Sequence, residues 1–164
     1  MTRQVLSAQA SRQLPSVKAW VGLLRAHAAL TRDLNADLVH QHGLTINDYE
    51  VLLHLARADE HRLRRVDLAE RLLLTASGIT RLLNGLERAG YVEKARCQSD
   101  ARVTYAVLTD AGLAKLREAS ETHIAGIRQL LEGRYAEPEL EMLAELLARL
   151  PVDGTADEAC SPEG

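Results

Sequence analysis

Apolar residues recur at three- and four-residue intervals along most of the chain, which predicts a largely helical fold. From Ser16 to His40 the stripe is Trp20, Leu23, Leu24, Leu30, Leu34 and Leu38, with Gly43 as a left-handed stop. Thr45 then reads as an N-cap with Asp48 three residues on, and Leu44 and Tyr49 occupy hydrophobic-staple positions, so a second helix starts at Ile46 and runs to about Ala58. Asp59 and Glu60 end it. A short helix is expected from Arg64 to Leu72 with Val66, Leu68, Ala69 and Leu72 inward. Leu73 to Thr75 form a turn, and Thr75 caps a helix from Ala76 to Ala89 that Gly90 closes.

The pattern then changes period. Tyr91–Arg96 and Val103–Leu108 are extended, and Val103 to Val107 is the one run rich in β-branched and aromatic residues, so a hairpin is expected. Thr109 caps a long helix to about Arg134 with Leu113, Leu116, His123, Ile124, Ile127, Leu130 and Leu131 in its stripe. Pro138 opens a last helix carrying Leu140, Leu143, Leu146, Leu147 and Leu150, which Pro151 ends. The predicted class is mainly α (α+β): a winged helix-turn-helix with outer helices before and after it that form a separate apolar surface. In residue ranges, 45–108 form the winged lobe and 16–42 and 109–151 the outer helices. Residues 1–15 form a flexible start, and the Gly-, Asp-, Glu- and Pro-containing 152–164 a disordered tail.

Composition narrows the classes. At 164 residues and 46% hydrophobic, the chain can bury one core. No apolar run is long enough for a membrane span or signal peptide, and Cys97 and Cys160 build neither a disulfide framework nor a zinc site, so a cytoplasmic protein is expected. Net charge is −3, but His61–Arg102 holds nine Lys/Arg against five Asp/Glu, a local +4 within acidic flanks. Such a basic middle suits a polyanion. No nucleophile arrangement, Gly-rich phosphate loop or paired metal motif argues for an enzyme, and no cofactor or metal is expected.

The helix after Thr75 carries the functional argument. At about 100° per residue, Ile79, Leu82, Leu83 and Leu86 share one face, and Ser77, Thr80, Arg81, Asn84 and Arg88 share the other. This outer stripe has no carboxylate; Glu87 lies at its edge. Arginine can fork onto guanine, asparagine onto adenine, and hydroxyls can reach bases or phosphate. The N-terminus at Thr75 adds backbone N–H groups for a phosphate. On the hairpin, Arg102 can reach a minor groove with Asp100 orienting it, while Lys94 and Arg96 can touch flanking backbone. Solvated ion pairs are the plainer reading of those wing charges.

The chain resembles the MarR family of bacterial regulators in Gly43–Leu52, Val66–Glu70, Ser77–Leu83, Leu86–Glu93, and Asp100-Ala101-Arg102 leading to Val107–Gly112. The resemblance runs from about Trp20 to Leu150. It implies a homodimer with interlocking outer helices and two winged lobes on a pseudo-palindromic stretch of double-stranded DNA, most often a repressor released by a small aromatic or acidic effector. Lys94 stands where the family usually has Arg, Gly85 where a basic residue is common, and Ala106 where Val is usual. In the family, effectors bind where the outer helices meet the lobe, which makes Trp20, His27, Tyr49 and His54 candidate liners, though residues of these types are more often simply core. Urate-responsive members use a Trp with an Asp, for which Trp20 and Asp67 are the nearest matches. Alternatives are a zinc-responsive member using His40 and His42, a redox-responsive one using Cys97 beside Arg96, or an interaction module without DNA binding.

Overall fold

A computed structural model describes residues 14–96 and 104–150. The chain divides into two compact units, 1–127 and 128–164. In the first, helix α1 (Pro15–His42) ends at Gly43, whose φ of 68° lets its N–H close back on the last turn. Helix α2 (Ile46–Arg57) begins with the expected capping box: Asp48 N–H donates to Thr45 Oγ1 at 3.2 Å and Thr45 N–H to Asp48 Oδ2 at 2.9 Å. A single 3-10 turn, Asp59–His61, leads into strand β1 (Arg62–Arg64). Helices α3 (Arg65–Arg71) and α4 (Ala76–Arg88) follow, then strands β2 (Val92–Arg96) and β3 (Thr104–Leu108) and helix α5 (Asp110–Leu131). Thr109 caps α5 by accepting from Gly112 N–H at 3.0 Å.

The two extended segments pair as expected, with Val92 opposite Leu108 and Arg96 opposite Thr104. The sheet has a third strand that the sequence pattern does not predict. β1 lies on the other edge of β3, antiparallel, with Arg62 opposite Val107 and Arg64 opposite Tyr105. Three residues with two arginines carry no strand signature, and the ladder itself makes them extended. Its formation takes Arg64 out of α3, which therefore starts at Arg65. Val66 does not face inward but is 60% exposed. Val66 and Leu68 lie about 200° apart on a helix, and Leu68 is the one that packs, together with half-buried Ala69 and Leu72.

One core holds the first unit: Leu38 of α1, Val51, Leu52 and Leu55 of α2, Leu68 of α3, Leu83 and Leu86 of α4, Val92 and Ala106 of the sheet, and Leu116 of α5. Leu108 and Leu113 flank it as the expected staple across the α5 start. Gly112 is required there, since a Cβ would lie 2.1 Å from the Tyr91 carbonyl oxygen. In the second unit, helix α6 (Glu137–Ala148) is opened by Ala136 N–H donating to Glu139 Oε2 at 2.8 Å, and Met142, Leu143, Leu146 and Leu147 are exposed. Among the described residues no helix is long and apolar enough to cross a membrane. The ranges 1–13 and 151–164, with the expected flexible start, disordered tail and Cys160, lie outside the described residues.

Candidate nucleic-acid interface

α4 is an amphipathic helix presented by its back face. Ile79, Leu83 and Leu86 are buried and Leu82 is half-buried, while Ser77, Arg81, Asn84 and Arg88 are exposed. Thr75, in extended conformation, accepts from Gly78 N–H at 3.1 Å, fixing the first turn. Its carbonyl takes Ile79 N–H, so the Ala76 and Ser77 N–H groups have no partner among the described residues. Arg81 likewise makes no hydrogen bond or ion pair with another described residue. Its side chain is exposed, and the α4 front carries no acid.

Thr80 differs from its expected place on that front. It is half-buried, donates to the Ala76 carbonyl at 2.6 Å and accepts from Arg65 Nη2. Its hydroxyl thus joins the start of α3 to α4. Arg65 is a cation at the rim of this face that the sequence reading leaves unassigned, because only the α3–α4 crossing brings positions 65 and 80 together. The carboxylate of Asp67 is also engaged, receiving both Nε (2.8 Å) and Nη2 (2.7 Å) of Arg64.

The wing base touches the same face. Lys94 Nζ lies 2.6 Å from Glu87 Oε2 and 3.0 Å from Asn84 Oδ1, so its charge is already compensated. Arg88 Nε donates to the Asn84 carbonyl at 3.2 Å. On the neighbouring strand edge the Arg62 guanidinium sits over the Tyr105 ring, 5.4 Å from its centre. The side chain of Arg96, and Cys97, Asp100 and Arg102, lie outside the described residues.

The candidate effector liners are spread over two helices. Trp20 is 59% exposed on α1, so it is not core within the chain. His27, exposed on the same helix, lowers the pKa of Glu50 through its charge, but burial of that carboxyl outweighs it and the net direction is up. Tyr49 is buried; its hydroxyl is 3.2 Å from Ser120 Oγ and its ring centre 4.7 Å from that of His123. His123 is held below its ordinary pKa by burial. His54 is half-buried on α2. Of the histidine pair weighed for zinc, His42 Nε2 is 2.7 Å from Thr122 Oγ1, joining α1 to α5.

Comparison with known proteins gives this geometry its context. Residues 42–103, from the end of α1 into the wing, match the MarR family. The transcriptional repressor YetL of Bacillus subtilis is 33% identical over 108 residues, which cover 66% of this chain and 64% of YetL. AbsC, a MarR family transcriptional regulator of Streptomyces coelicolor, superposes with a TM-score of 0.72 at 32% identity, over 82% of this chain and 90% of AbsC. Sco3205, another MarR family transcriptional regulator of that organism, solved in complex with DNA, gives 0.72 at 29% identity over 79% of this chain and 81% of its own. A covered α4 with a cationic front, a two-stranded wing beside it and these likenesses agree: the chain belongs to the MarR family of winged-helix transcriptional regulators, which are not enzymes.

Proposed function

We propose that the chain acts in the cytoplasm as a homodimeric repressor that binds a pseudo-palindromic operator and is released by a small aromatic or acidic effector. The observation that carries the DNA part is the acid-free front of α4, on which the exposed Arg81 makes no hydrogen bond or ion pair with another described residue. In this reading Arg81, Asn84 and Ser77 read base edges. Arg88 and the N-terminus at Thr75 meet phosphate, with Arg65 and Thr80 bracing the entry of the helix. The wing's Arg102, oriented by Asp100, enters the minor groove and Arg96 follows the backbone. The sequence likeness to a repressor and the structural likeness to a DNA-bound regulator support the same role.

Dimerisation follows from apolar surface. Trp20, Leu23 and Leu24 on α1, and Leu143, Leu146 and Leu147 on α6, are uncovered within one chain. A partner that covers them sets two copies of α4 about 34 Å apart, the spacing of successive major grooves. An effector lodged among Trp20, His27, Tyr49 and His54 would change that spacing. The test is a salt titration on duplex DNA selected from a randomised pool. Log affinity should fall linearly with log salt. Arg81→Ala should lower discrimination between sequences, whereas Arg102→Ala should weaken all of them alike. If both variants bind like the parent, the assigned surface is wrong.

A further inference from the structure

The wing lysine does something other than its position on a DNA-facing edge implies. Lys94 comes from β2, ten residues beyond Asn84, and its ammonium lies between Asn84 Oδ1 at 3.0 Å and Glu87 Oε2 at 2.6 Å. An ammonium only donates, so the amide atom it touches is the oxygen, and the NH2 of Asn84 is turned away from it. Glu87 is largely covered, at 22% side-chain exposure, and its other oxygen, Oε1, is buried with no hydrogen-bond partner among the described residues. The carboxylate is therefore held by packing and fixes the lysine. A cation compensated in this way contributes little to phosphate neutralisation.

We propose that Lys94, anchored by Glu87, is a positioning residue that latches the amide of Asn84 so that it presents its two N–H donors outward. This rests on the proposal above that α4 reads the major groove. An asparagine free to use both ends forks onto adenine, accepting from N6 and donating to N7. The latched amide has its oxygen directed to Lys94, with one of its two lone pairs taken, so the NH2 with its two donors is the end left to meet a base edge. That matches guanine, whose N7 and O6 both accept, and is repelled by an amino group at the same place. The base pair under Asn84 is then guanine rather than adenine on the contacted strand.

The experiment uses the full chain and a duplex selected from a randomised pool by the parent protein, with each base pair of the selected site then varied in turn and binding read by fluorescence anisotropy. One base pair should lose its preference in Asn84→Ala, and the parent should favour guanine there over adenine about tenfold. Lys94→Met, which frees the amide oxygen, should shift that preference toward adenine, leave the slope of log affinity on log salt unchanged, and have no further effect on base preference in the Asn84→Ala background. Lys94→Arg, which keeps a donor for the oxygen, should retain guanine. Uniform weakening in Lys94→Met, with a slope shallower by about 0.9, would make the lysine a phosphate contact and overturn the proposal. So would an Asn84→Ala protein whose base preferences all match the parent's, with Arg81 still discriminating. A parent that selects no sequence at all removes the function proposed above instead, and the latch with it.

Discussion

Two helices with the same leucine periodicity end in opposite situations. On α4 the back-face Leu83 and Leu86 are 1% and 2% exposed, covered by α2, α3 and the sheet within the chain. On the first half of α1, Trp20 and Leu24 stand 59% and 49% exposed, although Leu38, farther along the same helix, is fully buried. Both carry leucines at helical spacing, but apolar and polar positions are segregated more sharply on α4, and only its apolar face is covered by neighbouring elements. The lobe closes through α2, α3, α4 and the sheet together with the end of α1 and the start of α5, and an apolar stripe left outside such a closure marks a surface for a partner. The contrast divides the molecule into a part whose apolar surface is covered by its own contacts and a part whose apolar surface is not, the surface on which the proposed dimer rests.

The strongest way to break that contrast is to charge the open stripe. Leu23→Glu with Leu24→Glu should separate the dimer while leaving the lobe folded. Burial of a leucine side chain is worth about 1.5–3 kcal/mol, and the change removes two from each protomer. The expected result is a monomer by analytical ultracentrifugation at concentrations where the parent is dimeric, with helical circular dichroism retained and operator affinity lost. A variant that stays dimeric would show that this stretch of α1 is open to solvent by design.

The covered helix responds in the opposite currency. Leu83→Ala should cost about 2–5 kcal/mol in chemical denaturation, as a fully packed leucine does, and should lower stability without changing the subunit arrangement of the folded fraction. Equal losses from Leu83→Ala and from Leu24→Ala would erase the distinction.

The same contrast explains which features could be read from residues alone. α2 and α4 announce themselves because their start signals are local: Thr45 with Asp48, and Thr75 with Gly78, lie within one turn of each other. The covered face of α4 follows from the helical period. β1 stayed hidden because Arg62-Leu63-Arg64 becomes a strand only by pairing with β3, more than forty residues away. Val66 differs from its expected place for another reason: it lies about 200° from Leu68 on α3, so the two cannot both face the core. The outer face of α4 was legible as a set of residue types, but its internal commitments were not. That Thr80 holds Arg65, and that Asn84 and Glu87 share Lys94, depend on crossings between elements.

A smaller test concerns how well α4 itself is made. Gly85 lies in its interior, and a Cβ there would meet nothing within 4 Å. Glycine in a helix interior costs roughly 1 kcal/mol relative to alanine. Gly85→Ala should therefore raise stability by about that much, seen as a Tm higher by about 3 °C, with the subunit arrangement unchanged. Loss of stability instead would mean that the packing around α4 leaves less room than its geometry shows.

The weakest effect belongs to the seam where α2 meets α5, and its sign can be derived. The His123 ring packs against Tyr49 at a tilt of 44°, its Nδ1 is buried without a hydrogen-bond partner among the described residues, and burial depresses its pKa below the ordinary 6.5. Folding therefore favours its neutral form. Its contribution is fully present above 6.5 and is lost as pH falls through the depressed folded value. Glu50 works in the opposite direction: burial raises its pKa above 4.5, so its folded-state penalty is absent below 4.5 and grows as pH rises through the raised value. Between neutrality and mild acid, a His123→Gln protein should lose less stability than the parent, and a Glu50→Gln protein should gain most at neutral pH, both measured as urea midpoints against pH. Because His123 is only partly buried, the change is a small fraction of that from Leu83→Ala. Identical pH profiles for the parent and His123→Gln would show that this ring stays hydrated, and that the covered lobe ends before the seam.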